Sequence, residues 1–171
     1  SPRTREHTRW YAEEIRDKYI RTTQPDGKAD YSLKYWDVRF SNVCNMSCVM
    51  CNSVWSSQWQ KHSKDYTKKY SHNQIVNDYN LLWMRHQAEY EADQKIINNP
   101  DFKWVDKYID QVEIVYFAGG EPIIMPSHWY ILEKLHEQKR FDVQVKYNTN
   151  MLKLSHQGKH VLDYWPDWPY E

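Results

Sequence analysis

Val112-Glu113-Ile114-Val115-Tyr116-Phe117-Ala118-Gly119-Gly120-Glu121-Pro122 is the stretch whose reading decides the fold. Val112, Ile114 and Tyr116 lie on one side of an extended chain, with Val115 and Phe117 on the other. A strand apolar on both faces is what a buried parallel strand requires. Working outward, Leu33 to Phe40 alternates, with Trp36, Val38 and Phe40 on one face against Asp37 and Arg39. Downstream, a helix is expected to open near Pro126 and carry Trp129, Leu132 and Leu135 inward. Phe141, Val143, Val145 and Tyr147 then alternate as a third strand, which ends in Asn148-Thr149-Asn150. Strands alternating with helices predict an α/β fold with a parallel sheet and right-handed crossovers. Ligand sites in such folds gather at the C-terminal ends of the strands, and three polar or cysteine-bearing segments fall there.

The remaining segments are less regular. Thr4 to Arg21 is dense in Glu, Arg and Lys, with Trp10, Ala12, Ile15 and Tyr19 at helical spacing, and predicts a surface helix. Gln24-Pro25-Asp26-Gly27 reads as a turn. Val54 to Lys107 contains no Gly and a single Pro, Pro100, and predicts two or three helices, more than a strand crossover needs. The tail from Leu152 holds Pro166 and Pro169 and is too interrupted for more than a short helix. The expected organisation is a helical extension over 1–32 and a core over 33–171, carrying a helical insertion over 54–107.

The 171 residues suffice for one domain with a real core. With 23 basic and 23 acidic side chains the formal net charge is zero, which argues against nucleic acid as a partner. No apolar run reaches the ~18 residues of a membrane span, and no stretch resembles a signal peptide. With 9 Trp and 14 Tyr, large amphipathic rings must supply much of the core and find partners for their polar atoms. The first residues, Ser1-Pro2, suggest a trimmed or excised piece.

The 3 cysteines stand together in Cys44-Asn45-Met46-Ser47-Cys48-Val49-Met50-Cys51. An odd number at close spacing makes a poor disulfide framework and a better metal site in a reducing compartment, which points to the cytoplasm. Thiolates are the soft ligands that iron clusters and zinc both prefer. Three sulfurs can hold three corners of an iron–sulfur cube and leave its last iron open. A structural zinc would need a further ligand, with His62 and His72 nearest downstream. Gly119-Gly120 allows a close backbone approach or a positive φ, and Glu121 adds an acceptor suited to an ammonium group. His156 and His160 are separated by Gly158, which argues against a helical metal pair. Lys61, Lys64, Lys68 and Lys69, interleaved with Tyr66 and Tyr70, read as a solvated helix face.

Taken together, these residues resemble the radical S-adenosylmethionine (SAM) superfamily, and more closely its Twitch/SPASM-like members. The family's CxxxCxxC pattern falls on Cys44, Cys48 and Cys51. Its position before the last cysteine, often aromatic, is Met50, a flexible thioether able to pack on a nucleobase. The GGEP motif is present as Gly119, Gly120, Glu121 and Pro122. The Thr-Asn-Gly of the third strand becomes Thr149-Asn150-Met151, which carries over Asn150 without its glycine.

The resemblance implies a partial (β/α) barrel of about three parallel strands with a 4Fe-4S iron–sulfur cluster on the three cysteines. The open iron would be chelated by the amino and carboxylate groups of SAM. Reductive cleavage would yield a 5′-deoxyadenosyl radical that abstracts hydrogen from a substrate, a peptide or protein among the candidates. The backbone of the GGEP segment would bind the SAM ammonium, with Glu121 supporting that loop. An electron donor such as flavodoxin or ferredoxin is implied as partner. Family barrels continue well past three strands, so chain beyond Glu171 or a partner chain is expected to complete this one. Two readings of other classes stand beside it: a non-catalytic iron–sulfur or zinc module for assembly or electron transfer, and an RNA- or peptide-binding domain.

Overall fold

Alternation of Trp36 and Val38 with Tyr35 and Asp37 makes a strand with one buried and one wet face. The computed structural model describes residues 16, 17, 20–28, 32–52, 55–59, 62 and 100–169. The chain divides into two compact units, Ser1–Ser32 and Leu33–Glu171. In the first, the expected turn is present: Gly27 takes φ +84° and donates its N–H to the Gln24 carbonyl. Most of the helix expected over Thr4 to Arg21 lies outside the described residues, as do the helices expected across 63–99 with His72 and the Lys64–Tyr70 face.

The second unit is a mixed α/β structure. Strands β1 (Tyr35–Val38), β2 (Ile114–Phe117) and β3 (Gln144–Tyr147) form a parallel sheet in the order β1-β2-β3. Val38, Phe117 and Tyr147 are in register, so the loops that follow all leave the same edge. One face of the sheet carries Trp36, Val38, Val115 and Phe117 into a continuous core. Helix α1 (Trp104–Tyr108) supplies Val105 to this core, and helix α2 (Pro126–Glu137) supplies Trp129, Ile131, Leu132 and Leu135. Phe102, in the 3-10 turn before α1, is buried as well and joins this core. The opposite face is more exposed: Tyr35, Asp37 and Gln144 are exposed and Tyr116 and Lys146 half-buried, with Ile114 alone buried among them.

The aromatic-rich composition resolves as the chemistry of the rings demands. Trp36 donates its indole N–H to the Leu33 carbonyl at 2.8 Å, Trp129 to Ile123 at 2.8 Å and Trp168 to Val143 at 3.1 Å. Each ring is buried and its one polar atom is satisfied by backbone. Arg140 uses its guanidinium in the same way. It donates to the carbonyls of Ile109 and Val112, both at 2.9 Å, and pairs with Asp142, which fastens the entry of β3 to that of β2. His128 is buried at the start of α2, with Nε2 2.9 Å from the Tyr147 hydroxyl. Burial depresses its pKa to about 3, so it stays neutral under physiological conditions.

The tail departs from expectation. In place of a short helix it folds as a hairpin of β4 (Ser155–His156) and β5 (Lys159–His160), followed by 3-10 turns at Val161–Asp163 and Trp165–Asp167. Gln157 and Gly158 both take positive φ, at 49° and 81°, as a two-residue hairpin turn requires. Among the described residues no helix is long and apolar enough to cross a membrane.

Candidate metal and cofactor site

The chain leaving β1 passes through Ser41 to Val43 into the cysteine loop, and the chain leaving β2 becomes Gly119-Gly120-Glu121-Pro122. These two segments are hydrogen-bonded to each other. Gly120 donates its N–H to the Ser41 carbonyl at 3.2 Å and Glu121 donates to Val43 at 2.7 Å. The approach is close enough to need both glycines. A Cβ on Gly120 would lie 2.1 Å from the Val43 carbonyl oxygen, and one on Gly119, at φ +106°, would lie 2.9 Å from that of Ser41. The glycine pair thus brings backbone against the chain's own backbone, one residue before Cys44. The carbonyl oxygens of Gly119 and Gly120 accept no hydrogen bond among the described residues, and both glycines are half-exposed.

Glu121 is fully buried. Its carboxylate accepts from the Thr149 hydroxyl at 2.6 Å, the Asn150 N–H at 2.8 Å and the Ile123 N–H at 3.3 Å. A buried carboxylate without a cation must be met by neutral donors of this kind. It clamps the end of β3 to the start of the 3-10 turn Pro122–Ile124, in which Pro122 is also buried. Its oxygens are therefore turned into the fold, bonded to Thr149, Asn150 and Ile123.

Cys44 is buried, while Cys48 and Cys51 are partly exposed, and none forms a disulfide. Burial pushes the Cys51 thiol up, and the Cys48 and Cys44 sulfurs nearby add to the shift. The loop is braced by residues 56–59, which the sequence reading placed in the helical insertion and gave no role at the site. Cys44 donates its N–H to the Ser57 hydroxyl at 3.1 Å, and Gln58 donates its side-chain N–H to the Cys44 carbonyl at 3.1 Å. The Trp59 indole donates to the Cys48 carbonyl at 2.9 Å, and the Ser56 hydroxyl donates to that of Met46. Composition in Ser, Gln and Trp carries no signal for this role, because every partner is backbone.

Asn150 reaches the same loop. Its side-chain N–H donates to Asn45 Oδ1 at 2.9 Å and lies 4.0 Å from Cys44 Sγ. Cys44, Gly119, Gly120, Glu121, Pro122 and Asn150 are thus gathered at one sheet edge. Met50 is not drawn in: its side chain is 94% exposed, beside Val49 at 97%. Met151, where the resembled motif has glycine, takes φ 57° and is itself exposed.

By the chemistry of the donor set, three soft thiols on one braced loop suit an iron–sulfur cluster. Among the described residues no group of three or more His, Cys, Asp and Glu side chains, the three cysteines included, is already arranged around a single metal-ion position. His62, the nearest candidate fourth ligand, is exposed and stacks edge-on against Trp59 at 5.4 Å. Comparison with known proteins yields no match, whether to a family model, a curated protein or a solved structure.

Proposed function

We propose that this chain is part of a radical SAM enzyme, with a 4Fe-4S cluster on Cys44, Cys48 and Cys51 and SAM bound beside it. The observation that supports the reading is the backbone junction between the segment entering the cysteine loop and Gly119–Glu121, whose glycine carbonyls accept no hydrogen bond among the described residues. An amino-acid ammonium needs such acceptors, and neutral carbonyls supply them without competing for the metal. When bound, the reduced cluster and SAM would supply a 5′-deoxyadenosyl radical for hydrogen abstraction from substrate. The chain's own residues have simpler tasks. Glu121 holds the Thr149–Asn150 loop, and Ser57, Gln58 and Trp59 hold the cysteine loop. No side chain is required as acid or base for that chemistry.

The barrel is part of the same reading. Among the described residues no strand pairs with the outer edge of β3, and a cavity of about 430 Å³ runs beside it, lined by Val143, Val145, Tyr147, Trp165 and Trp168. A continued barrel would pair a further strand there. A flavodoxin or ferredoxin would deliver the electron, in the reducing environment of the cytoplasm, and a peptide or protein is one candidate class of substrate.

Oxygen-free reconstitution with iron and sulfide tests the metal directly. The expected product is brown, with about four irons and four sulfides per chain. Replacing any one of Cys44, Cys48 and Cys51 by Ala should remove most of that iron. Colourless protein holding one zinc would establish the non-catalytic metal module instead.

A further inference from the structure

The three cysteines are not equivalent, and the difference lies in the N–H groups around them. The Met46 N–H lies 3.4 Å from Cys44 Sγ, and the side-chain N–H of Asn150 is directed at the same sulfur from 4.0 Å. Among the described residues no N–H is directed at the sulfur of Cys48 or Cys51. The Asn150 amide is held from two sides, since its own backbone N–H is bound by Glu121 and its amide also donates to Asn45 Oδ1. A line of hydrogen bonds therefore runs from a buried carboxylate through Asn150 to Asn45 and Cys44, joining residues 105 positions apart in sequence.

We infer that Asn150, seated by Asn45, is a positioning residue that sets the reduction potential of the cluster through Cys44. The inference rests on the function proposed above and adds a role that the cysteine and glycine motifs do not contain. Reduction places one more negative charge on the cluster and its sulfurs. An N–H aimed at a ligand sulfur stabilises the reduced form more than the oxidised one and raises the potential. Hydrogen bonds to charged groups are the stronger class, so one donor is enough to shift the equilibrium measurably.

The test is a redox titration, followed by electron paramagnetic resonance, of reconstituted wild-type protein and of Asn150→Ala and Asn45→Ala. The expected result is full iron content in both variants with the potential more negative in each. For Asn150→Ala the expected change is about tenfold in the reduction equilibrium, which is about 59 mV for one electron. The direction separates this role from simple loosening. Extra water at a disturbed loop would stabilise the added charge and move the potential the other way. Asn45→Ala leaves the Asn150 backbone bond to Glu121 in place, so it reports on the amide alone. Variants that keep their iron at the wild-type potential would overturn the inference while leaving the proposed function intact. So would loss of the cluster in both variants, which would make the asparagines scaffold only. Wild-type protein that assembles no cluster would end both.

Discussion

Glu121→Ala is expected to be among the most destabilising single substitutions in the described chain. The carboxylate is fully buried and accepts three hydrogen bonds, from Thr149, Asn150 and Ile123. Truncation strands three donors and opens a void, at a combined cost of roughly 3–5 kcal/mol. That is a large fraction of the ~5–15 kcal/mol by which a domain of this kind is stable. Chemical denaturation reads the change as a lower midpoint at unchanged slope. Glu121→Gln keeps one carbonyl oxygen but turns an N–H toward existing donors, and should cost roughly 1–3 kcal/mol. The order wild type, Gln, Ala is the signature of a clamp. An Ala variant within about 0.5 kcal/mol of wild type, as surface substitutions usually are, would show that the carboxylate holds nothing.

Gly120→Ala should be comparably severe for a different reason. The added methyl would sit 2.1 Å from the Val43 carbonyl oxygen and 2.6 Å from the carbonyl carbons of Asn42 and Val43. All three atoms are backbone, so no side chain can rotate away and the segment before Cys44 must move. Overpacking of this kind costs about 1–3 kcal/mol, and more where backbone is displaced. Gly158→Ala is the internal control: Gly158 has φ +81°, which Gly120 does not share, but nothing lies within 4 Å of its added Cβ. It should cost only about 1 kcal/mol, the conformational part. The two differ in a second readout as well. Gly120→Ala should lose iron on reconstitution even under conditions where it remains folded, whereas Gly158→Ala should not. Equal effects from the two would contradict the junction between the glycine pair and the cysteine loop.

The sheet was legible because its signals are local. Ile114-Val115-Tyr116-Phe117 is apolar on both faces, Trp36 and Val38 alternate with Tyr35 and Asp37, and α2 shows its inward stripe at Trp129, Leu132 and Leu135. The boundaries were less so: Phe141 and Val143 continue the alternation but precede β3, because Arg140 and Asp142 form a turn there. The hairpin at 155–160 was hidden, since Ser-His-Gln-Gly-Lys-His contains no strand-favouring residue and only the positive-φ pair Gln157-Gly158 marks it.

At the site, the cysteine spacing and the glycine pair could be read directly, but what each touches could not. The Glu121 carboxylate finds its partners 28 and 29 residues away, and Asn45 meets Asn150 across 105. Such contacts depend on strand order and register, which place Val38, Phe117 and Tyr147 in line. Ser57, Gln58 and Trp59 escaped notice for the same reason, since polar side chains that bond to backbone leave no periodic trace.

The central claim is that three thiolates leave one iron open to a small chelating ligand. Electron paramagnetic resonance of the reduced, reconstituted protein with and without SAM tests it most directly. The account predicts an iron–sulfur signal whose shape changes when SAM is added, because the ligand binds the cluster itself. A cluster signal that stays the same at saturating SAM would contradict it.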